Sequence, residues 1–423
     1  MKTPAASRLS RRMSRISPSP TLALSRTLAE LRARGRDVVD LGLGEPDFAT
    51  PKHIKQAGIQ AIQNDRTKYT EGSGTRPLRE AVAEKFRRRG AAVDASNILV
   101  GAGGKQGLFT ACQALFEEGD EVLLLSPYWV SFPEMIRLSG ADPVIVRTRV
   151  ENRWRPTLSD IEPWVTDRTR GLILNSPNNP TGASLDAEEL LRILRFTRER
   201  EIFVLFDECY EYFLYDGRPH VSPAESWEEH GDHVLISGAA SKTYSMTGWR
   251  LGWAVGPAEL ISAMGSYQSH ATANACSISQ EAALAALTEE DASRESIAAM
   301  LSEYSKRRRR IVEALNGISG VSCLLPDGAF YAFADVSRLF PASGAAGSID
   351  FARQLLERAG VAGVPGAAFG EDRCVRFSFA AKLDSIEEGM RRFYEFASAL
   401  PSSPTEIEKE APGFGEVSRR DLK

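Results

Sequence analysis

The sequence predicts an α/β protein built on a mostly parallel seven-stranded sheet covered by helices on both faces, with a smaller α+β domain beside it. Three observations predict this. Seven short apolar runs, at 98–100, 121–125, 143–146, 171–175, 202–207, 233–237 and 250–255, are mostly separated by helical stretches, and that succession produces parallel strands buried on both faces. Polar segments follow three of these runs, at 101–106, 175–182 and 207–210, where ligands of parallel sheets collect beyond the strand ends. Past residue 255 the alternation stops, and strand-like alternation returns only at 328–333 and 374–379, in a second lobe.

Composition sets the class. A chain of 423 residues with 43% hydrophobic and 26% charged residues is that of a soluble globular protein large enough for a substantial core. The net charge of −4 leaves no basic footprint, so a nucleic-acid partner is not expected. No eighteen-residue apolar run occurs, so neither a spanning helix nor a membrane partner is expected. Five cysteines, at 112, 209, 276, 323 and 374, form no Cys-x-x-Cys, which argues against a metal site and a disulfide framework and for a reducing, cytoplasmic location. Arg11-Arg12 is followed by polar residues, not an apolar stretch, so residues 1–15 read as a loose basic arm and not as a signal.

In chain order, 18–35 reads as a cap and a helix with Leu22, Leu24, Leu28 and Leu31 on one face, closed by Gly35. A short strand at 38–41 leads into Gly42-Leu43-Gly44-Glu45-Pro46-Asp47-Phe48, where two glycines either form a plain turn or let backbone approach a ligand. Gly101 to Gly107 fails as a nucleotide P-loop because Leu99 and Gln106 occupy the required glycine and hydroxyl positions. What survives is a strand, a glycine-rich turn and a helix at 106–116, an arrangement suited to phosphate. Asp207 ends an apolar run, where a buried acid needs a partner. Residues 257–288 read as helical, and 293–315 as one long helix whose Lys306 to Arg310 run reads as solvated surface. A helix near 350–359 separates the two late strands, and 401–423 reads as a loose tail.

The most informative stretch is Ser241-Lys242-Thr243-Tyr244-Ser245-Met246-Thr247-Gly248-Trp249-Arg250-Leu251-Gly252, a lysine among small residues with space for a bulky ring. Together with Asn175-Ser176-Pro177-Asn178-Asn179-Pro180-Thr181-Gly182 and Pro127-Tyr128-Trp129-Val130, it resembles the class I aminotransferases, pyridoxal 5′-phosphate (PLP) enzymes of fold type I, in their aspartate aminotransferase-like branch. The resemblance covers about residues 15–400. It implies transfer of an amino group between an amino acid and a 2-oxo acid.

By that resemblance Lys242 holds PLP as a Schiff base and moves the substrate's Cα proton. Asp207 would pair with the pyridine nitrogen, Asn179 and Tyr210 with the ring oxygen, and Trp129 would stack on the ring. The phosphate would lie on Gly103, Gly104 and Lys105, with Ser241, Arg250 and the partner subunit's Tyr69 completing its cage, so a homodimer is implied. Arg376 and Gly44 would take the substrate α-carboxylate, with Trp129 and Asn179 against the substrate, while Thr21 and Lys105 would receive a side-chain carboxylate, pointing to aspartate or glutamate and to prephenate as a possible acceptor. The sequence departs from the family pattern at Phe132 (for tyrosine), at Ala239 (for a phosphate-binding serine) and across His270 to Ala275. A PLP β-lyase remains an alternative that motifs barely separate, and a PLP-binding regulator a weaker one. The implied division is an arm at 1–15, a small domain from 16–50 and 301–400, a large PLP-binding domain at 51–300 and a tail at 401–423.

Overall fold

The computed structural model describes residues 9–18 and 20–401, with the side chains of Arg11, Thr21 and Leu22 left outside it. Its strands, in chain order, are β1 (Val39–Asp40), β2 (Ile98–Gly101), β3 (Glu121–Ser126), β4 (Asp142–Arg147), β5 (Thr169–Asn175), β6 (Phe203–Asp207), β7 (Val234–Ala239) and β8 (Gly252–Val255). They continue with β9 (Ser322–Cys323), β10 (Tyr331–Asp335), β11 (Val361–Ala362), β12 (Val364–Pro365) and β13 (Cys374–Ser378).

Seven of these form one sheet in the order β2-β8-β7-β6-β5-β3-β4. Every neighbouring pair is parallel except the two made by β8. All seven apolar runs of the sequence are strands of this sheet, and the chain is of the α/β class. The late start of β8 has a local cause: Arg250 sits at φ 52°, in the left-handed region, and closes a short helical turn at Thr247–Trp249 before the strand can begin.

The sheet has two apolar faces because successive side chains alternate. Leu123, Leu172, Leu174, Val204, Phe206 and Ile236 point into one core, and Val122, Leu124, Ile173, Leu205 and Leu235 into the other. The parallel run of β3 to β7 brings their carboxyl ends to a single edge, and the polar residues there become the floor of a cavity.

The second lobe holds a four-stranded antiparallel sheet, β12-β13-β10-β9, and β1 pairs in parallel with β11. Thus the N-terminal segment returns to the C-terminal lobe, and Gly42 to Gly44 enter the cavity from that side.

Three sequence expectations are corrected. The charge run is not all surface: Arg307 and Arg308 are 8% and 2% exposed, whereas Lys306, Arg309 and Arg310 remain exposed. Consecutive helical residues advance by a hundred degrees or so, and two of five therefore face inward on the helix Glu290–Asn316. Arg307 donates to both carboxylate oxygens of Asp47 at 2.8 and 2.9 Å, and Arg308 pairs with Asp216 over the ring of Tyr215. The expected helix across 257–288 is two helices, Ala258–Ala271 and Ser277–Thr288, broken where Ala273 adopts φ 57°. The basic arm is anchored where it is described: Arg15 donates to Gly140 O and to Asp142 Oδ1, both at 3.0 Å. Residues 1–8 and 402–423, the rest of the arm and nearly all of the tail, lie outside the described residues. Among the described residues no helix is long and apolar enough to cross a membrane.

Candidate active site

A cavity of about 330 Å³ opens between the strand ends and the second lobe. Its floor comes from residues that follow strands. Asp207 ends β6, Asn179 lies in the loop after β5, Trp129 follows β3, and Gly104 and Lys105 open the helix Gly104–Leu115 after β2. Lys242 stands on the helical turn Ala240–Thr243 directly after β7, and Arg250 precedes β8. Gly44, Tyr331 and Arg376 close the cavity from the other lobe.

Lys242 Nζ donates to the Gly44 carbonyl at 2.5 Å. Its enclosure pushes the amine below the ordinary lysine range, because desolvation penalises the charged form. Asp207 is 5% exposed, and one of its carboxylate oxygens accepts from Cys209 N at 3.1 Å. Burial raises this carboxyl from 3.8 to about 6, against the pull of the Cys209 N–H. An acid held this way gains most from a cationic N–H partner. Behind it, Glu208 and Glu211 face away from the cavity into Arg89, which donates to them at 3.0 and 2.6 Å. Lys85 also bonds Glu211, and His220 lies 3.0 Å from Glu208. These three acid and histidine ligands cluster closely enough for a metal, but two cations already compensate both carboxylates.

Arg376 is 3% exposed; it donates to Asn179 Oδ1 and to Gly42 O, each at 2.8 Å, and its guanidinium lies 4.2 Å from the centre of the Tyr331 ring. That bond fixes the Asn179 carbonyl and turns its amide hydrogens elsewhere. At the opposite wall, Lys105 Nζ lies 4.8 Å over Trp129, which packs edge-on against Phe132. Phe132 is buried purely by packing, so it needs no hydroxyl. Burial, and next the charge of Arg250, pushes the Lys105 amine down.

The turn beneath Arg250 is spatially exacting. Gly103, at φ 85°, caps the helix, and a Cβ there would lie 2.9 Å from the Arg250 guanidinium. A Cβ on Gly252 would lie 2.4 Å from Gly104 N and 2.6 Å from Gly103 C. Gly252→Ala must therefore displace backbone; we expect PLP affinity to fall by at least about tenfold, measured by fluorescence titration, because overpacking at a rigid contact costs ~1–3 kcal/mol.

The residues fit PLP. A buried carboxylate suits a pyridinium N–H, a desolvated amine suits the aldehyde carbon, and free N–H groups at a helix start beside an arginine suit the phosphate. Of the residues singled out in the sequence, Lys242, Asp207, Tyr210, Asn179, Trp129, Gly104, Lys105, Ser241, Arg250, Gly44 and Arg376 all line this cavity. Gly103 backs it through Arg250. Tyr69 is not brought in; it is 90% exposed on this chain. The side chain of Thr21 lies outside the described residues. Sequence reasoning missed Tyr331, whose hydroxyl is 2.8 Å from that of Tyr210, and Glu45, which accepts from Thr247 Oγ1 at 2.8 Å. Tyr331 sat in a run that alternation marked only as a strand, and Glu45 in a motif read for its glycines.

A family model described as Aminotransferase class I and II matches residues 36–393. The chain is 43% identical over 385 residues to a probable aspartate/prephenate aminotransferase of Aquifex aeolicus, covering 91% of this chain and 97% of the other. It is 41% identical to an aspartate/prephenate aminotransferase of Cereibacter sphaeroides, covering 93% and 99%. It is similar to the solved aspartate aminotransferase of Thermus thermophilus with maleate at a TM-score of 0.87 and 41% identity, covering 92% and 99%, and to that from Rhizobium meliloti at 0.88 and 37%, covering 93% and 100%.

Proposed function

This chain belongs to the class I and II aminotransferases, a PLP-dependent enzyme moving amino groups from an amino acid to a 2-oxo acid, and from that premise we propose that its amino donor is a dicarboxylic amino acid, aspartate first. One observation carries the substrate reading. Among the described residues, four cations line the cavity: Lys242, Arg250, Arg376 and Lys105. Lys242 is the reacting amine and Arg250 stands over the phosphate turn, which leaves Arg376 and Lys105 for two carboxylates. The names of the relatives, aspartate and prephenate among them, agree with that, and prephenate is the proposed carboxylate-bearing acceptor.

The residues divide the work as follows. Arg376 binds the α-carboxylate with its forked donors and so orients the Cα–H bond, where misplacement by ~1 Å can cost on the order of a hundredfold. Its anchors on Asn179 and Gly42 hold that fork rigid. PLP, when bound, supplies the electron sink that makes the Cα proton acidic. Asp207 would keep the pyridine nitrogen protonated, Asn179 and Tyr210 would bond the ring oxygen, Trp129 would stack on the ring, and Gly103, Gly104, Lys105 and Ser241 would hold the phosphate with Arg250. Lys242 Nζ removes the proton from Cα, and its enclosure keeps a larger fraction of the amine neutral for that task. Lys105 reads the distal carboxylate; Thr21, the other residue expected to receive it, has its side chain outside the described residues.

The active unit is proposed to be a homodimer, with Tyr69 of each chain serving the partner's site. Its 90% exposure, and that of Ile59 and Ile62 at 47% and 55%, support this. Large and small domains are assigned to 51–300 and to 16–50 with 301–400, on the strength of the two sheets. The partners are small amino and oxo acids, and the five free cysteines suit the cytoplasm.

Lys105→Met tests the substrate reading. We expect KM for aspartate to rise about 10- to 100-fold with kcat little changed, the loss of one charge-assisted hydrogen bond, while KM for alanine stays put. Unchanged selectivity between the two donors would remove the dicarboxylate assignment.

A further inference from the structure

Tyr331 is buried, faces the cavity and is given no part in the chemistry above. We propose that it is a positioning residue that ties the substrate arm to the cofactor side: its hydroxyl orients Tyr210 and its ring seats Arg376. The inference rests on the reading of Tyr210 and Arg376 under the proposed function.

The geometry begins in the antiparallel pair β10 and β13. Tyr331 stands opposite Ser378, and Arg376 lies two residues along the same face. That diagonal spacing lets a long side chain cross the ring, and the guanidinium sits 4.2 Å from its centre. The ring fixes where the α-carboxylate fork can lie. On its other side the Tyr331 hydroxyl is 2.8 Å from that of Tyr210, with the rings 5.8 Å apart at 80°. The same hydroxyl approaches Gly44 so closely that a Cβ there would be 2.8 Å away. Gly44 is the residue whose carbonyl receives Lys242.

Proton placement follows from the neighbours. Burial pushes both phenols above the ordinary tyrosine range, so both keep their hydrogens at neutral pH. Two hydrogens share one oxygen–oxygen contact. Arg376, on the Tyr331 ring, has no acceptor to offer. Either hydroxyl can be the donor in this contact; once the ring oxygen of a bound cofactor takes the Tyr210 hydrogen, Tyr331 is the one left to donate, and the bond that Tyr210 then receives sharpens it as a donor. Among the described residues, the other charged or titratable groups lining the cavity are Asp40, Glu45, Lys105, Asp207, Cys209, Lys242 and Arg250, and Tyr331→Phe leaves each of them in place.

The test uses the PLP-loaded enzyme and reads the pH midpoint of the bound cofactor's absorption change alongside kcat and KM. A weaker donor leaves the cofactor's ring oxygen more basic, so the chromophore keeps its proton to higher pH. Tyr331→Phe is expected to raise the midpoint by roughly half a pH unit and lower kcat by about five- to twentyfold, with KM for aspartate within about twofold because the ring remains. Tyr210→Phe should raise the midpoint further, and the double variant no further than Tyr210→Phe alone. Tyr331→Leu, which also loses the ring, should raise KM by at least about tenfold. A midpoint moved by Tyr210→Phe but not by Tyr331→Phe, or two shifts that simply add, would overturn the inference and leave the function standing. A midpoint indifferent to Tyr210→Phe would instead bring down the placing of Tyr210 beside the cofactor, and the inference with it.

Discussion

Lys242→Ala abolishes amino-group transfer, slowing it by roughly 10⁴-fold or more, while the protein folds and still takes up PLP. The size follows from removing both the covalent tether and the general base, since a positioned base alone contributes about 10²- to 10⁴-fold. Among the described residues the other amine lining the cavity is Lys105, which lies over Trp129 and is assigned to the distal carboxylate, and arginines do not deprotonate. Stability should not suffer, because a desolvated amine held by a single carbonyl is a burden to the fold and not a support. Turnover measured with and without a small primary amine checks this. Partial rescue by the free amine is expected, because it restores the base but not its position. A variant that retains more than about a hundredth of the wild-type rate would mean that another group carries the proton.

Asp207→Asn should separate stability from function. Its carboxyl titrates at about 6 in the folded protein against 3.8 in the reference state. A raised folded value means that the acid's contribution to stability is complete below about 3.8 and is lost as pH rises through 6. By pH 8 the ionised carboxylate costs the cofactor-free fold about 3 kcal/mol, since one pKa unit is about 1.4 kcal/mol. The cofactor-free asparagine variant is therefore expected to melt a few degrees above wild type at pH 8. The gap should narrow toward pH 4. The same change should lower kcat on the order of 10³-fold, because an amide cannot hold the pyridine nitrogen protonated through an ion pair. Melting curves at pH 5 and 8 with steady-state rates at pH 8 decide it. A cofactor-free variant less stable than wild type at pH 8 would show that Asp207 is satisfied without the cofactor.

Much of this was legible in the chain because it is local. Strands buried on both faces leave short, dense apolar runs, and all seven surfaced within two residues of their observed ends. The motif around Lys242 and the loop at Asn175 to Gly182 carry their chemistry in consecutive residues. What stayed hidden depends on partners far away in sequence. Arg307 is buried because Asp47 waits 260 residues earlier, and nothing in a run of five cations marks which two turn inward. Tyr331 meets Tyr210 across 121 residues, and Arg376 meets Asn179 across 197. Alternation could identify those strands but not the groups their side chains would find. The break after Ala271 was missed for the opposite reason: alanine-rich composition favours helix on both sides, and only Ala273, turned to positive φ, interrupts it.

The most direct test of the whole account is a single-turnover experiment on the purified PLP-loaded protein, mixed with aspartate in the absence of any 2-oxo acid. The account predicts conversion of the bound cofactor to pyridoxamine phosphate with one equivalent of oxaloacetate and no ammonia, and restoration of the original spectrum when a 2-oxo acid is added. Steady release of ammonia and pyruvate from cysteine- or serine-like substrates, with no stoichiometric oxaloacetate from aspartate, would contradict it and identify a lyase on this scaffold.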